Sequence, residues 1–279
     1  MKECVSCKGP SNVLIKSIGF CSTCFKANIL RKVRKIIKPY LIKEKILIPF
    51  NGSVASIVTI DILLHILDCR INQPTIYIFQ TNKNKLNTTD SIFKKFHKIF
   101  FISEEDNKIG KNDDLVFNCK YNLIIDGNSR FNMILIAKKY RIPIVIDTSS
   151  VDDLSSVVIS GVSYGLGATI KPIVALKEDV CNKDYAVVIL RILSSLSDKE
   201  IYFYYHFISE NRLESKTQNY TDSFVYTKKF LYNLCINNYS TSYSVIETIR
   251  KINSNYELCN NCLFYYKEDS ICGCSTHNT

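Results

Sequence analysis

Two cysteine pairs open the chain, Cys4-x-x-Cys7 and Cys21-x-x-Cys24, with thirteen residues between them. Each Cys-x-x-Cys is short enough to form a knuckle, and two knuckles can converge four thiolates tetrahedrally on one Zn²⁺. Such a closed site organises a small fold and performs no reaction. A second group, Cys259-x-x-Cys262 and Cys272-x-Cys274, stands near the other end with nine residues between its halves. It is expected to hold a second Zn²⁺, and His277 could replace one of its ligands. Cys69, Cys119, Cys181 and Cys235 are scattered singly in apolar settings, where a free cysteine behaves as a small hydrophobe. The histidines His65, His97, His206 and His277 form no metal-ligating or nucleophile pattern, so a hydrolase triad has no support. Eight of twelve cysteines in close end pairs are a ligand pattern more than a crosslinking one, which places the chain in a reducing compartment, the cytoplasm.

A second group of residues could contact a polyanion. Lys26, Arg31, Lys32, Arg34, Lys35 and Lys38 crowd a segment in which Phe25, Ile29, Val33, Ile36, Ile37 and Tyr40 recur at helical spacing. The spacing predicts a basic amphipathic helix ended near Pro39. The whole chain agrees in sign, with 36 Lys and Arg against 26 Asp and Glu and a net charge of +10. Charge alone names a partner class, and solvated lysines would read the same way. The opening MKECVSCKGP has no apolar signal core, and the apolar run from Ile57 to Leu67 is broken by Asp61 and His65. Neither secretion nor membrane insertion is expected.

The elements that must position these groups follow from hydrophobic patterning, with 46% hydrophobic residues available for a core. Val13 to Phe20 alternates as a hairpin with Gly19 near its end. Strands are predicted at Lys45 to Phe50, Thr75 to Phe79, Ile99 to Ile102, Leu123 to Asp126 and Ile142 to Asp147. Helices are predicted at Val54 to Leu67, Thr88 to His97, Ser129 to Tyr140 and Val151 to Ile159. A further strand around Thr169 to Leu176 and a helix through Tyr185 to Leu196 complete the pattern. This order predicts an α/β fold, an open, doubly wound, mainly parallel sheet with a ligand crevice beyond the strand carboxyl ends. Glu210 to Asp222 reads as a polar loop before two more helices. Three parts follow: a zinc head and basic helix over residues 1–40, the α/β domain over 41–209, and C-terminal helices with the second cysteine group over 210–279.

The stretch CVSCKGPSNVLIKSIGFCSTCFKANILRKVRKII, followed by KILIPFNGSVASIVTIDIL, resembles the opening of the cytoplasmic tRNA 2-thiolation protein 2 family. ATIKPIVALKEDV and NYSTSYSVIETIRKI continue the likeness, which spans nearly the whole chain. The resemblance implies a PP-loop nucleotide-alpha-hydrolase fold, and a role as partner of a catalytic paralogue in thiolating the tRNA wobble uridine. In active paralogues the loop after the first strand is Ser-Gly-Gly-x-Asp-Ser, whose amides wrap the ATP pyrophosphate. The same slot here reads Asn51, Gly52, Ser53, Val54, Ala55, Ser56. Ala55 replaces the acid, and Ser53 replaces a glycine, where a Cβ is expected to restrict φ and crowd a phosphate. ATP binding is therefore not expected.

Active members also carry cysteines within the domain, whereas LIIDGNSRFNMILIAKKY has none here, and a thiolate relay needs a nucleophile with a neighbour. Asp152 and Asp153 match the family's paired acids but equally suit a helix start. The resemblance then implies a heterodimer that binds tRNA through Lys26, Arg31, Lys32, Arg34, Lys35 and Lys38, and a ubiquitin-like sulfur carrier that supplies the sulfur. Two rival readings are an active ATP-dependent tRNA sulfurtransferase with an atypical loop, and a zinc-ribbon interaction module.

Overall fold

The computed structural model describes residues 2–40, 45–68, 73–80, 98–103, 127–167, 169–182, 185–207, 222–253, 255–260, 262–268 and Cys272. The strand expected at Leu123 to Asp126, the helix expected at Thr88 to His97 and nearly all of the polar loop expected from Glu210 lie outside them.

The chain begins with a hairpin, β1 (Val13–Ile15) and β2 (Ile18–Phe20), turned by Lys16 and Ser17 at φ 48° and 67°. Two successive left-handed residues match the twist of a two-residue hairpin. Gly19 is required by close packing, since a Cβ there would stand 2.8 Å from the Glu3 carbonyl oxygen. Helix α1 (Ser22–Ile37) follows and tightens into a 3₁₀ turn at Lys38–Tyr40, where Pro39 cannot continue the ladder. Its buried stripe is Phe25, Ile29, Val33 and Ile37.

The central sheet is built from β3 (Lys45–Phe50), β4 (Thr75–Gln80), β5 (Ile99–Ser103), β6 (Ile144–Asp147), β7 (Lys177–Asn182) and β8 (Tyr185–Arg191). Their order is β5-β4-β3-β6-β8-β7, parallel except for the antiparallel edge strand β7. Helices α2 (Val54–Leu67), α3 (Gly127–Lys139), α4 (Val151–Ser163), α5 (Lys171–Val174), α6 (Asp198–Phe207), α7 (Asp222–Asn237) and α8 (Thr241–Lys251) accompany it. A small hairpin, β9 (Tyr256–Leu258) and β10 (Tyr265–Lys267), carries the C-terminal cysteines.

Both sheet faces are covered, as a parallel sheet requires. On one, Ile46, Ile48 and Phe50 of β3 join Phe25 and Ile29 of α1, Ile57 and Ile60 of α2, and Ile201 and Tyr204 of α6. On the other, Leu47 of the same strand joins Ile134 of α3, Leu154 of α4, Ile246 of α8, and Cys259, Cys262 and Phe264. The N-terminal head thus packs against one face of the sheet and the C-terminal cysteine hairpin against the other.

Two expectations are corrected. Thr169 to Leu176 is not a strand: Pro172 sits in the first turn of the short helix α5, where its missing N–H costs nothing. The strand starts one residue later, at Lys177. Tyr185 to Leu196 is not a helix: its first seven residues are β8, and Val187 and Ile189 face one core while Leu190 faces the other. A strand apolar on both faces loses its alternation, and then periodicity cannot separate it from a buried helix.

Candidate functional site

The order of the parallel strands reverses between β3 and β6, and a ligand crevice in such a sheet lies at that switch point, beyond the strand carboxyl ends. The loop after β3 is Asn51 to Ser53. Gly52 takes φ 77°, a conformation that needs glycine. Asn51 Oδ1 accepts the Ser53 amide at 3.0 Å, and Ser53 Oγ accepts the Ser56 amide at 3.3 Å as the N-cap of α2. Ser56 is fully buried, and its hydroxyl donates to the Ser53 carbonyl at 2.8 Å. Ser53 itself has φ −70° and ψ 158°, ordinary for any residue, so the strain expected from its Cβ is absent. What differs is chemical: two amides that could face a phosphate are held by side chains of the loop itself. Ala55 packs with the α1–α2 side of the core and offers no polar group.

The loop after β6 is equally committed to internal bonds. Asp147 accepts from the Ser149 amide and hydroxyl and pairs with Arg191 Nε at 3.0 Å. Ser150 and Asp153 form a reciprocal capping box at the start of α4. Asp152 accepts from the Asp198 amide at 2.8 Å and the Ser242 hydroxyl at 2.6 Å, while Lys228 bridges Asp153 and Asp198. Burial and the nearby Asp153 push Asp198 above the usual carboxylate range. The paired acids therefore start a helix and tie α4 to α6, α7 and α8.

The Sγ atoms of Cys4, Cys7, Cys21 and Cys24 all lie within 4.8 Å of one another. Cys21 caps α1 through its sulfur, which accepts the Cys24 amide at 3.4 Å. Lys8, just after Cys7, adopts φ 63°, and the turn is closed by Lys8 N–H to Cys4 O and Cys4 N–H to Gly9 O. The C-terminal group repeats this backbone: Leu263 after Cys262 has φ 58°, Leu263 N–H reaches Cys259 O, and Cys259 N–H reaches Phe264 O. Cys259, Cys262 and Cys272 also converge within 4.8 Å, all buried; Cys274 and His277 lie outside the described residues.

A single ion with four thiolates at about 2.3 Å spaces its sulfurs by about 3.8 Å. Cys7 and Cys21 stand 3.7 Å apart, and Cys262 and Cys272 stand 3.5 Å apart. Both groups therefore fit one metal ion each. The N-terminal thiols divide their protons unevenly. Backbone N–H groups of Cys7 and Cys21 lower Cys4 to about 6, whereas thiol contacts with Cys21 and Cys7 push Cys24 up to about 12. Four thiolates this close need a cation among them.

The basic residues of α1 separate into two sets. Arg31, Arg34, Lys35 and Lys38 are exposed, and their i, i+3, i+4, i+7 spacing sets them on one face about 10 Å long. Lys26 and Lys32 turn toward α6: Lys26 Nζ lies 5.7 Å from the Tyr204 ring centroid, and Lys32 Nζ pairs with the buried Glu200 at 2.9 Å. Patterning had not separated them, because α6 was not expected.

Sequence reasoning also missed a buried charge network. Glu178 of β7 is fully enclosed and pairs with both Arg130 and Arg191, and Arg130 donates in addition to the Leu263 carbonyl of the C-terminal knuckle. Burial alone would raise Glu178, but the two guanidiniums hold it below its usual range. Its only signal in the sequence is a charge at an inward position of a strand.

No protein-family model and no curated protein matches the chain. Among solved structures it is similar to the U34-tRNA thiolase NcsA from Methanococcus maripaludis, a structure described with its [4Fe-4S] cluster. The identity is 16%, over 94% of this chain and 95% of that one, with a TM-score of 0.69. It also matches NMN synthetase from Francisella tularensis at 14% identity, covering 84% and 98% of the two chains, with a TM-score of 0.44. NH3-dependent NAD synthetase from Campylobacter jejuni matches at 11%, covering 83% and 93%, with a TM-score of 0.41. The first likeness carries the structural conclusion: the fold is that of the nucleotide-alpha-hydrolase-like, PP-loop proteins, with a cysteine cluster on each face of the sheet.

Proposed function

We propose that this chain is a non-catalytic, tRNA-contacting subunit of a cytoplasmic complex that thiolates the wobble uridine. A catalytic PP-loop paralogue would be its heterodimeric partner, and a ubiquitin-like carrier the source of sulfur. The reading rests on the self-satisfied loop after β3, in which Ser53 and Ser56 bond to each other and Ala55 brings no acid. A pyrophosphate cradle needs open amides, and a magnesium-dependent adenylation needs a carboxylate nearby. Likeness in fold to a U34-tRNA thiolase over nearly the full length of both chains supports the substrate class. The exposed face of Arg31, Arg34, Lys35 and Lys38 supports contact with RNA phosphates. Zn²⁺ suits both thiolate groups, since a cluster of several irons spreads its ligands wider than a single ion does.

The test has two arms. Depletion in the native cell should lower wobble-uridine thiolation, and the chain should co-purify with a PP-loop partner; loss of the modification with no such partner refutes the heterodimer. The isolated chain, given ATP and tRNA, should release no pyrophosphate. Turnover there would establish the rival reading, an active sulfurtransferase with an atypical loop.

A further inference from the structure

Helix α7 runs along α4, to which it is fixed by Phe224 and Leu231, by a hydroxyl contact between Thr227 and Ser160, and by the Lys228 ion pairs. Its outward side is unlike the rest of this basic chain. Tyr226 is 73% exposed, Phe230 55%, Tyr232 68% and Ile236 58%, with Val225 and Leu234 also exposed. Lys229 is the one exposed charge along this side, because Lys228 is drawn inward onto Asp153 and Asp198. Scattered exposed apolar side chains are ordinary, but six on one helix in a chain with 36 basic residues form a patch. Depletion of charge and enrichment in aromatic rings mark the centre of a protein interface rather than a surface for phosphates.

We infer that this side of α7 is where a second copy of the chain docks, by an antiparallel α7–α7 contact about a two-fold axis near Phe230. Tyr226, Phe230 and Leu234 stand at i, i+4 and i+8, the row that interdigitates in the commonest class of helix packing. Run antiparallel, the row is self-complementary: Tyr226 meets Leu234 of the other copy and Phe230 meets its counterpart, as an isologous interface demands. The exposed apolar side chains of α7, with the aromatic ones near 150–250 Å² when fully covered, offer roughly 600–800 Å² per copy. A stable interface uses about 800 Å² per partner. The exposed end of α4 adjoins the patch with Val162 and Tyr164 and brings the area to that level. Repulsion between two copies of net charge +10 is long-ranged and screened by salt, and a single lysine per copy at the contact adds little to it.

Light scattering on the full chain tests this. The mass should rise from 32.0 kDa toward twice that value as concentration increases through the micromolar range, and added salt should strengthen the association. Tyr226→Glu or Phe230→Glu should weaken it at least tenfold. Because both side chains are exposed, neither change should shift the melting temperature; if one does, Tyr226→Ser and Phe230→Ser take its place and should weaken self-association in the same direction. A chain that stays monomeric at about 100 μM overturns the inference. So does a dimer indifferent to all four substitutions, or a monomeric chain whose α7 is covered by a different protein.

Discussion

The division of the α1 cations gives a test whose two halves must come out differently. If Arg31, Arg34, Lys35 and Lys38 each neutralise one phosphate, the logarithm of tRNA affinity should fall with the logarithm of salt at a slope of about −3 to −3.6 from these four alone. Between about 50 and 200 mM salt that is roughly a hundredfold loss of affinity. Replacing all four by Gln should remove that share of the slope and leave folding intact. Lys32→Gln should do the opposite. Its ammonium is 37% exposed at the side chain and is paired with Glu200, which is only 3% exposed. Glu200 keeps the Ser197 amide and hydroxyl and the Tyr243 hydroxyl as donors, so losing Lys32 should cost about 1–2 kcal/mol of stability, less than stripping a fully buried pair. The salt slope should hardly move. Filter binding to tRNA across a salt series gives the slope, and urea unfolding gives the stability. Equal slope changes for Lys32→Gln and for any one of the four exposed residues would refute the division, and an unchanged slope in the fourfold variant would remove α1 from the RNA contact.

Three further predictions concern the frame. Cys21→Ser should lose one equivalent of zinc per chain by metal analysis and lower the melting temperature, because Cys21 is both a ligand and the cap of α1. Glu178→Ala strands two buried guanidiniums and should cost about 3–5 kcal/mol in chemical unfolding, with the C-terminal knuckle the first region to gain hydrogen exchange, since Arg130 also holds Leu263. In α2, hydrogen bonding to Asp61 raises His65 above its ordinary 6.5. Burial would raise Asp61, but His65 and Tyr204 hold it below its ordinary 3.8. The stability contributed by His65 is then full below pH 6.5 and lost as pH rises through its folded value. That from Asp61 is full above pH 3.8 and lost as pH falls through its lower folded value. The difference in unfolding free energy between the parent and His65→Gln should therefore shrink on going from pH 5.5 to about pH 8.

How much of this was legible in the sequence depended on whether the signal was local. Strand β3 and helix α2 stand where patterning placed them, because Lys45–Phe50 is a short β-branched run and Ser53 marks the helix start. Four cysteines at knuckle spacing predicted their own convergence. Strand β8 was misread because YAVVILR is buried from both sides and carries no period, and β7 because KEDVCN hides an enclosed glutamate in a polar string. Glu178 can be buried only because Arg130 lies 48 residues earlier in the chain and Arg191 13 residues later. No window of local pattern contains all three. Helix α6 was missed for a related reason, and with it the partners that turn Lys26 and Lys32 inward.

The loop after β3 shows why a residue's identity and its geometry must be weighed separately. From the sequence, Ser53 stood out as a steric fault, a Cβ where relatives of the active type have none. In the folded chain the left-handed position is Gly52, which is retained, and Ser53 is comfortable as an N-cap worth about 1 kcal/mol to α2. The shape of the turn has survived while its donors have been turned inward. Ser53→Gly should then cost only a few tenths of a kcal/mol, and it would free the Ser56 amide without supplying a carboxylate. Restoring an anion site would also require Ala55→Asp, and a chain with both changes that binds inorganic pyrophosphate, where the parent does not, would show that donors and charge, rather than backbone shape, separate this loop from a working one.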